Sequence, residues 1–560
     1  MIDYSKLPLS ITSFSEFAAN SMIYVDKTDL VANLARFRNP FFLSRPRRFG
    51  KSTLVSTFHE LFLNGLDKFQ GLKIVTDNLW NDKTYKVIHL DLSKIKEQSG
   101  DVTFNESFLQ QLDDAFSHSG YEKILNEEIK TPARYLDIRF SQKDIDSLVL
   151  LIDEYDAPLT AVMGYKEEFE VRRRVLSNFF STIKAYSGKF RFIFITGVTR
   201  NFNDSIFSSF NILEDISFNP TYGALVGYTQ EELEHYFKDY LENAVTELNE
   251  DLGEDKYTYD SLIEALKLNY DGYSFDEDCE WHVYNPWSIL NFLSEPQRGF
   301  KPYWLETGGA KPSLLVNYLN TFIDKKVKKT ELVDYLNLEF TKITSAAELS
   351  PNISSIEDEN FPFFAILYQA GYFTIKDTGI NYLEVGLPNL EVKKAFADII
   401  LNKLTAKTTA QISAFYGKKV KAAMDAKDFT ALKDEFNKIL NEFSYESVVS
   451  FKEYAFRDVY KVMLQLIGFN TYTEYQTALG RSDLCFENDR RLYICEFKVI
   501  GKADNVREKL EEAKAQIKEK KYGLRLTNKE VITLATVIVN ENKDGTHQAM
   551  REVAAIEEVS

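Results

Sequence analysis

The sequence predicts an α/β protein in several parts: a parallel sheet with flanking helices, a helical middle region, and a second, C-terminal α/β module. Three observations carry this. Residues 39–65, NPFFLSRPRRFGKSTLVSTFHELFLNG, pass from a short apolar run through a loop into a helical pattern. Residues 147–156, SLVLLIDEYD, and 191–200, RFIFITGVTR, hold continuous apolar runs of the kind that strands buried on both faces require. Residues 469–501 read as antiparallel strands lying between two helical stretches.

The chain has 560 residues, which suggests roughly three to four domains. The sparse Pro and Gly, 13 and 24, require short or helical joints, and the boundaries expected are 1–228, 229–400, 401–445 and 446–560. Apolar residues make up 44% and charged residues 27%, which excludes a disordered or collagen-like chain. Only Cys279, Cys485 and Cys495 are present, too few for a disulfide scaffold and in keeping with a reducing compartment. No apolar run approaches the ~18 residues of a membrane span. The start, MIDYSKLPLS, lacks a secretory core segment, so a cytoplasmic protein with no membrane partner is expected. The net charge of −17 argues against a nucleic-acid coat over the whole surface and leaves a locally basic groove open.

In the first element, Phe41, Phe42 and Leu43 form the strand, and Leu54, Val55, Phe58, Leu61 and Phe62 mark one face of the helix. Between them, Arg48-Phe49-Gly50-Lys51-Ser52-Thr53 is the end of a phosphate-binding loop. Gly50 lets backbone N–H groups approach a phosphate, Lys51 supplies a point charge, and Ser52 offers a hydroxyl to magnesium at a helix N-terminus. The bare Gly-Lys-Ser/Thr tripeptide arises by chance roughly 0.3 times in such a chain, so the strand-loop-helix context carries the reading. Arg45 stands where the motif ordinarily has its first glycine. The cluster Arg45, Arg47, Arg48 reads as phosphate-facing by its place in the loop, with a partner surface as the other choice.

The second element, Leu148–Ile152, ends in Asp153-Glu154. An aspartate there can hold the magnesium shell, and Glu154 can polarise the attacking water. An acidic turn after an ordinary strand is the plain alternative. VIHLDLS (87–93) supplies the additional strand that one class of such ATPases requires. In RFIFITGVTR, Thr196 or Thr199 can sense a γ-phosphate, and Arg200 can face it in cis or across a subunit boundary, the latter requiring a homo-oligomer. A surface cation at a strand end is the competing reading of Arg200.

These stretches, together with LPLSITSF (7–14), YVDKT (24–28), LVGYTQEEL (225–233), NYDGYSF (269–275), YNPWSIL (284–290), YWLETGG (303–309) and LYQAGYFTI (367–375), resemble the AAA-ATPase-like proteins that bacteria and archaea often carry fused to a PD-(D/E)XK nuclease domain. The resemblance covers most of the chain. That family's loop also reads RPRRFGKS, which makes Arg45 a family trait. The resemblance implies ATP binding and hydrolysis, with Lys51, Ser52, Asp153 and Glu154 at the nucleotide.

The middle, 230–440, is aromatic and helix-rich. EELEHYFKDYLENAVTEL (231–248) reads as an amphipathic helix, and a lid or winged-helix element is expected before a helical connector. The six histidines are scattered without zinc spacing.

In the C-terminal module, EYAFRDVYKVMLQLI (453–467) is a helix ended by Gly468. A GRSD turn, a strand beginning at Asp483, a turn near Asn488-Asp489 and a strand over Leu492–Val499 follow. Alternation puts Glu496 and Lys498 on one face, and an in-register hairpin puts Asp483 beside Glu496. Two carboxylates and a lysine can hold magnesium and orient a water for phosphodiester cleavage. Glu453 can add a ligand. Acid-x-Lys alone arises roughly five to ten times by chance, so the surrounding order of helix, hairpin, helix (503–521) and closing strand VITLATVIVN (531–540) carries the reading. This order resembles the restriction-endonuclease-like PD-(D/E)XK core, with Asp483, Glu496 and Lys498 on its signature positions. Gln516 and Tyr522 resemble the helix Gln and Tyr of RecB-like nucleases at longer spacing. A solvated edge hairpin with a surface ion pair is the plain alternative. The lysines of 509–521 read foremost as a solvated face with i,i+4 pairs.

The expected function is an ATP-binding protein and ATPase, using Mg2+, coupled to a metal-dependent nuclease-like domain acting on DNA. The alternative is a nucleotide-switched module that grips nucleic acid or protein through an inactive nuclease-like fold.

Overall fold

The structure, a computed structural model, describes residues 2–95, 103–143, 145–162, 165–200, 205–208, 210, 212–253, 255–304, 340–349, 363–405, 411, 413–442, 453–467, 469–477, 480–488, 490–501, 504–522, 529–540 and 551–559. The chain forms two compact units, one of Met1–Leu319 with Phe340–Val392 and one of Asn320–Glu339 with Lys393–Ser560.

The first unit is built on strands β1 (Pro40–Ser44), β2 (Val87–Asp91), β3 (Leu148–Asp153), β4 (Phe190–Gly197) and β5 (Glu214–Asp215), in the order β2-β3-β4-β1-β5. Every pairing is parallel. β1, β3 and β4 are buried along their whole length, which is why they read as unbroken apolar runs. The additional strand between β1 and β3 is β4, whereas 87–93 contributes β2 at the sheet edge. That corrects the expectation from sequence, where chain order says nothing about lateral order. The helix Lys51–Asn64 starts at Gly50 (φ 95°), ends at Gly65 (φ 68°), and buries the five apolar residues expected of it. Its Phe58 ring packs 5.1 Å from Phe192 and 4.8 Å from Phe194. Each buried ring of this kind contributes about 1.5–3 kcal/mol.

The segment 231–248 is two helices, Gln230–Tyr236 and Lys238–Leu252, broken at Phe237. The break turns the Phe237 ring into a core shared with Leu7, Val25, Leu262 and Ile289. Beside the helices, β6 (Phe340–Ile343), β7 (Thr374–Gly379) and β8 (Tyr382–Gly386) form an antiparallel sheet in the order β6-β8-β7.

The second unit holds a mixed sheet of β9 (Asn470–Thr477), β10 (Gly480–Glu487), β11 (Arg491–Ile500), β12 (Glu530–Asn540) and β13 (Arg551–Glu558), ordered β13-β12-β11-β10-β9. β12 does not close the module: β13 pairs antiparallel with its outer edge. Gly480-Arg481-Ser482-Asp483 is strand rather than turn, paired with β9 from Gly480 onward. The helix expected over 503–521 spans Val506–Glu519, capped by the Asn505 side chain, and buries Leu510, Ala513 and Ile517 against β11 and β12. The helix Glu453–Ile467 forms as expected; Gly468, Asp489 and the Glu453 side chain lie outside the described residues. Among the described residues, no helix is long and apolar enough to cross a membrane.

Candidate functional sites

In the first unit, parallel pairing aligns the C-terminal ends of β1, β3 and β4, so the loops leaving them converge. Ser52 donates its hydroxyl to Asp153 Oδ2 at 2.6 Å, and the Thr196 hydroxyl donates to Asp153 Oδ1. The loop after β1 and the end of β3 therefore meet, as the sequence predicts. Lys51 is buried, and its ammonium donates to the carbonyls of Arg45 (2.9 Å) and Pro46 (3.0 Å). Burial lowers the Lys51 pKa and raises that of Glu154, and each charge partly offsets the shift of the other. The chain leaves β3 through Glu154 at φ 49°, the left-handed region, which releases that side chain from the strand's alternation.

Arg45 does not face a phosphate. It is 2% exposed, donates to the carbonyls of Ser44 (2.8 Å), Ser217 (2.8 Å) and Tyr222 (3.3 Å), and lies 4.6 Å over the Phe275 ring. It ties the end of β1 to the segment after β5, and its charge is consumed inside the fold. Arg200 pairs with Asp215 and lies 4.1 Å over Phe218. Asp156, not singled out from sequence although it stands in IDEYD, accepts from the backbone N–H groups of Val198 (3.2 Å) and Thr199 (2.7 Å) and from the Thr199 hydroxyl (2.7 Å). It binds the turn after β3 to the end of β4. Gly197 has to be glycine there, because a Cβ would lie 2.5 Å from the Tyr155 ring.

Arg48, Phe49, Gly50 and Thr53 line one side of an open cleft, and Ile11, Val25, Leu225 and Trp287 line much of the rest. Lys51 and Ser52 bond toward the carbonyls and carboxylate just described, whereas Gly50 and Thr53 face the cleft. Phe49 is fully buried, edge-on to Tyr273 (4.7 Å) and Phe275 (5.1 Å), so it anchors the loop.

In the second unit, β10 and β11 pair from Leu484↔Cys495 to Glu487↔Leu492. The same register sets Asp483 opposite Glu496, on one face. There the backbone ladder stops, and Asp483 Oδ2 accepts the Phe497 N–H at 2.7 Å in its place. Glu496 is 1% exposed; its Oε1 lies 3.1 Å from the Lys498 ammonium, and its Oε2 accepts from the Tyr522 hydroxyl at 3.1 Å. Lys498 also donates to Gln516 Oε1 at 2.9 Å. Gln516, on the helix that follows β11, thus holds the Lys498 ammonium, and Tyr522, just beyond that helix, holds the Glu496 carboxylate. Burial raises the pKa of both Asp483 and Glu496, and the charge of Asp483 pushes Glu496 further up. Lys498, Arg457 and Lys520 act on Asp483 in the opposite sense. Two desolvated carboxylates on one face, with raised pKa values, fit a hard divalent cation. Among the described residues, no group of three or more His, Cys, Asp or Glu side chains gathers as a metal site.

Two family models match the chain. Residues 8–207 match the one described as Predicted AAA-ATPase, and residues 451–548 match the PD-(D/E)XK nuclease superfamily. The chain is also similar to an "Uncharacterized protein in vnfD 5'region" of Azotobacter chroococcum mcd 1, with 27% identity over 518 residues, spanning 88% of this chain and 89% of that one.

Proposed function

We propose that this chain, which joins an AAA-ATPase-like domain to a PD-(D/E)XK nuclease-superfamily domain, binds and hydrolyses ATP in its first unit and uses that cycle to control Mg2+-dependent cleavage of DNA in its second. The observation that carries the first half is the meeting of Ser52 and Asp153 beside a buried Lys51. The observation that carries the second is Asp483 and Glu496 opposite one another where the β10–β11 ladder ends.

At the nucleotide, Lys51 exchanges the carbonyls of Arg45 and Pro46 for phosphate oxygens, and the helix N-terminus adds its N–H groups. Ser52 and Asp153 would hold magnesium through hard oxygens. Glu154, its basicity raised by burial, orients and takes a proton from the attacking water. Arg200 acts on the transition state when it leaves Asp215. The cleft beside Gly50 and Thr53 takes the nucleoside.

In the second unit, Asp483 and Glu496 would hold the metal, with Glu453 as a further ligand. When bound, magnesium lowers the pKa of a coordinated water and neutralises charge on the phosphodiester. Lys498, positioned by Glu496 and Gln516, stabilises charge that develops on phosphorus. The domain boundaries 229–400 and 401–445 mark, on this proposal, a lid and a helical connector. A homo-oligomer is required only if Arg200 acts across subunits.

The assay is cleavage of linear and circular DNA with Mg2+, with and without ATP. Activity lost in Glu496→Ala and Lys498→Ala supports the nuclease; unchanged cleavage in both removes the site. Lys51→Ala should abolish ATP binding, and normal affinity there refutes the nucleotide site. The net charge of −17 favours the competing reading, a nucleotide-switched grip without cleavage. ATP-dependent DNA retention with no cut product would establish it.

A further inference from the structure

Trp287 is the second residue of the helix Pro286–Ser294 and lines the same cleft as Gly50 and Thr53. Its position is fixed at two points. The Asn285 side chain accepts its backbone N–H at 2.9 Å, and its indole N–H donates to the Tyr303 carbonyl at 3.0 Å. The ring cannot rotate without breaking the second bond. Its face carries the Arg48 guanidinium, 4.3 Å from the ring centroid. Arg48 holds that pose at φ 70°, in the left-handed region that non-glycine residues rarely adopt. A flat cation therefore covers a rigid aromatic face, inside the cleft that adjoins the phosphate loop, on a loop residue two positions before Gly50.

We propose that Trp287 is the platform on which the base of a bound nucleoside triphosphate stacks, and that Arg48 covers that face until nucleotide binding draws its guanidinium to the phosphates. The inference rests on the nucleotide-site reading above and adds to it a specific base contact and an exchange. Geometry favours the exchange, because a guanidinium and a purine are both planar and use an indole face in the same way. Ile11, Val25 and Leu225 add apolar lining to the same cleft, as a stacked base requires, and Ser10, Thr12 and Lys27 add polar groups.

The experiment measures binding of ATP and of inorganic tripolyphosphate to the full chain, for the natural protein, Trp287→Ala, Trp287→Phe and Arg48→Ala. Trp287→Ala should weaken ATP roughly 5- to 150-fold, the range for loss of one base–aromatic stack, and leave tripolyphosphate unchanged. Trp287→Phe should retain ATP within about threefold, since a smaller ring still stacks. Arg48→Ala should weaken tripolyphosphate. ATP, and not tripolyphosphate, should quench the tryptophan fluorescence that Trp287→Phe removes. Equal ATP affinity in Trp287→Ala overturns the platform, as does a parallel loss of both ligands, which would mean that Trp287 only supports the loop. Unchanged tripolyphosphate affinity in Arg48→Ala overturns the exchange. Failure of the natural protein to bind either ligand refutes the nucleotide site itself and is distinct from all of these.

Discussion

Replacing Arg45 by methionine tests why a charged residue occupies the place of a glycine. Methionine keeps most of the aliphatic stem and deletes the guanidinium. The change removes the 2.8 Å bonds to the Ser44 and Ser217 carbonyls and the weaker 3.3 Å bond to the Tyr222 carbonyl, leaving all three acceptors buried beside an apolar side chain. Hydrogen bonds from a charged donor contribute about 1.5–3 kcal/mol each, and the longer one less. The stack on Phe275 adds about 1 kcal/mol more. Against this stands the desolvation of the guanidinium, whose pKa burial pulls down to about 10. It stays charged at neutral pH, and relief of that penalty offsets part of the loss. The balance is about 3 kcal/mol of destabilisation. For a unit of this size each kcal/mol lowers the melting midpoint by about 2 °C, so the shift expected is roughly 6 °C. Because the Arg45 carbonyl also accepts from Lys51, ATP affinity should fall as well. Arg45→Lys, which retains one donor, should recover part of both. The assay pairs a thermal melt with an ATP titration. A melt within about 1 °C of the natural protein together with unchanged ATP affinity would refute the reasoning.

Two other outcomes follow from buried carboxylates. Mg2+ should raise the melting midpoint of the natural second unit and should not move that of Glu496→Gln, read by calorimetry with and without EDTA; an equal Mg2+ shift in both removes Glu496 from the donor set. Asp271 gives the pH dependence: burial raises its pKa above the ordinary 3.8, outweighing the Gly272 N–H, His282, Lys267 and Lys376, and its buried Oδ1 has no hydrogen-bond partner. The native state thus keeps this proton longer than the unfolded chain, so the stability that the neutral acid permits is full below 3.8 and is lost as pH rises through the elevated native value. Asp271→Asn should therefore be the more stable at neutral pH and equal to the natural protein in acid; a urea-melt series that shows the reverse order refutes the assignment.

Much of this was legible because burial writes itself as composition. β1, β3 and β4 are covered on both faces and so read as apolar runs, and Gly50 and Gly65 bracket the helix between them. The pairing of Asp483 with Glu496 was legible for another reason: a short hairpin leaves few registers, and the side-chain period of two then fixes the face. What was not legible depends on contacts distant in sequence. The lateral place of β4 is set by how the crossovers pack. Arg45 reads as a phosphate-facing cation until the carbonyls of residues 217 and 222 are brought to it. β13, REVAAIEE, has a helix-favouring composition and becomes strand because β12 offers it an edge. GRSD has turn-forming residues, yet β9 pairs with it. The contacts of Gln516 and Tyr522 were visible only as residue types, since the helix that carries Gln516 and leads to Tyr522 decides where they land.

The two sites share a property that bears on how strongly either can bind its ligand. In each, the charged groups are already occupied by partners from the chain. Lys51 has two loop carbonyls, Ser52 has Asp153, Asp483 has the Phe497 N–H, and Glu496 has Lys498 and Tyr522. A ligand therefore exchanges bonds rather than adding them, and only the difference appears as affinity. The exchange favours the ligand where the internal partner is a poor match for the charge. Neutral carbonyls are a poor match for a buried ammonium, and an N–H is a poor match for a desolvated carboxylate whose pKa has been pushed up. Phosphate and a divalent cation are better matches in each case. On the proposed function, these internal partners hold each site in shape before its ligand arrives, and the affinity is the difference between the bonds broken and the bonds made.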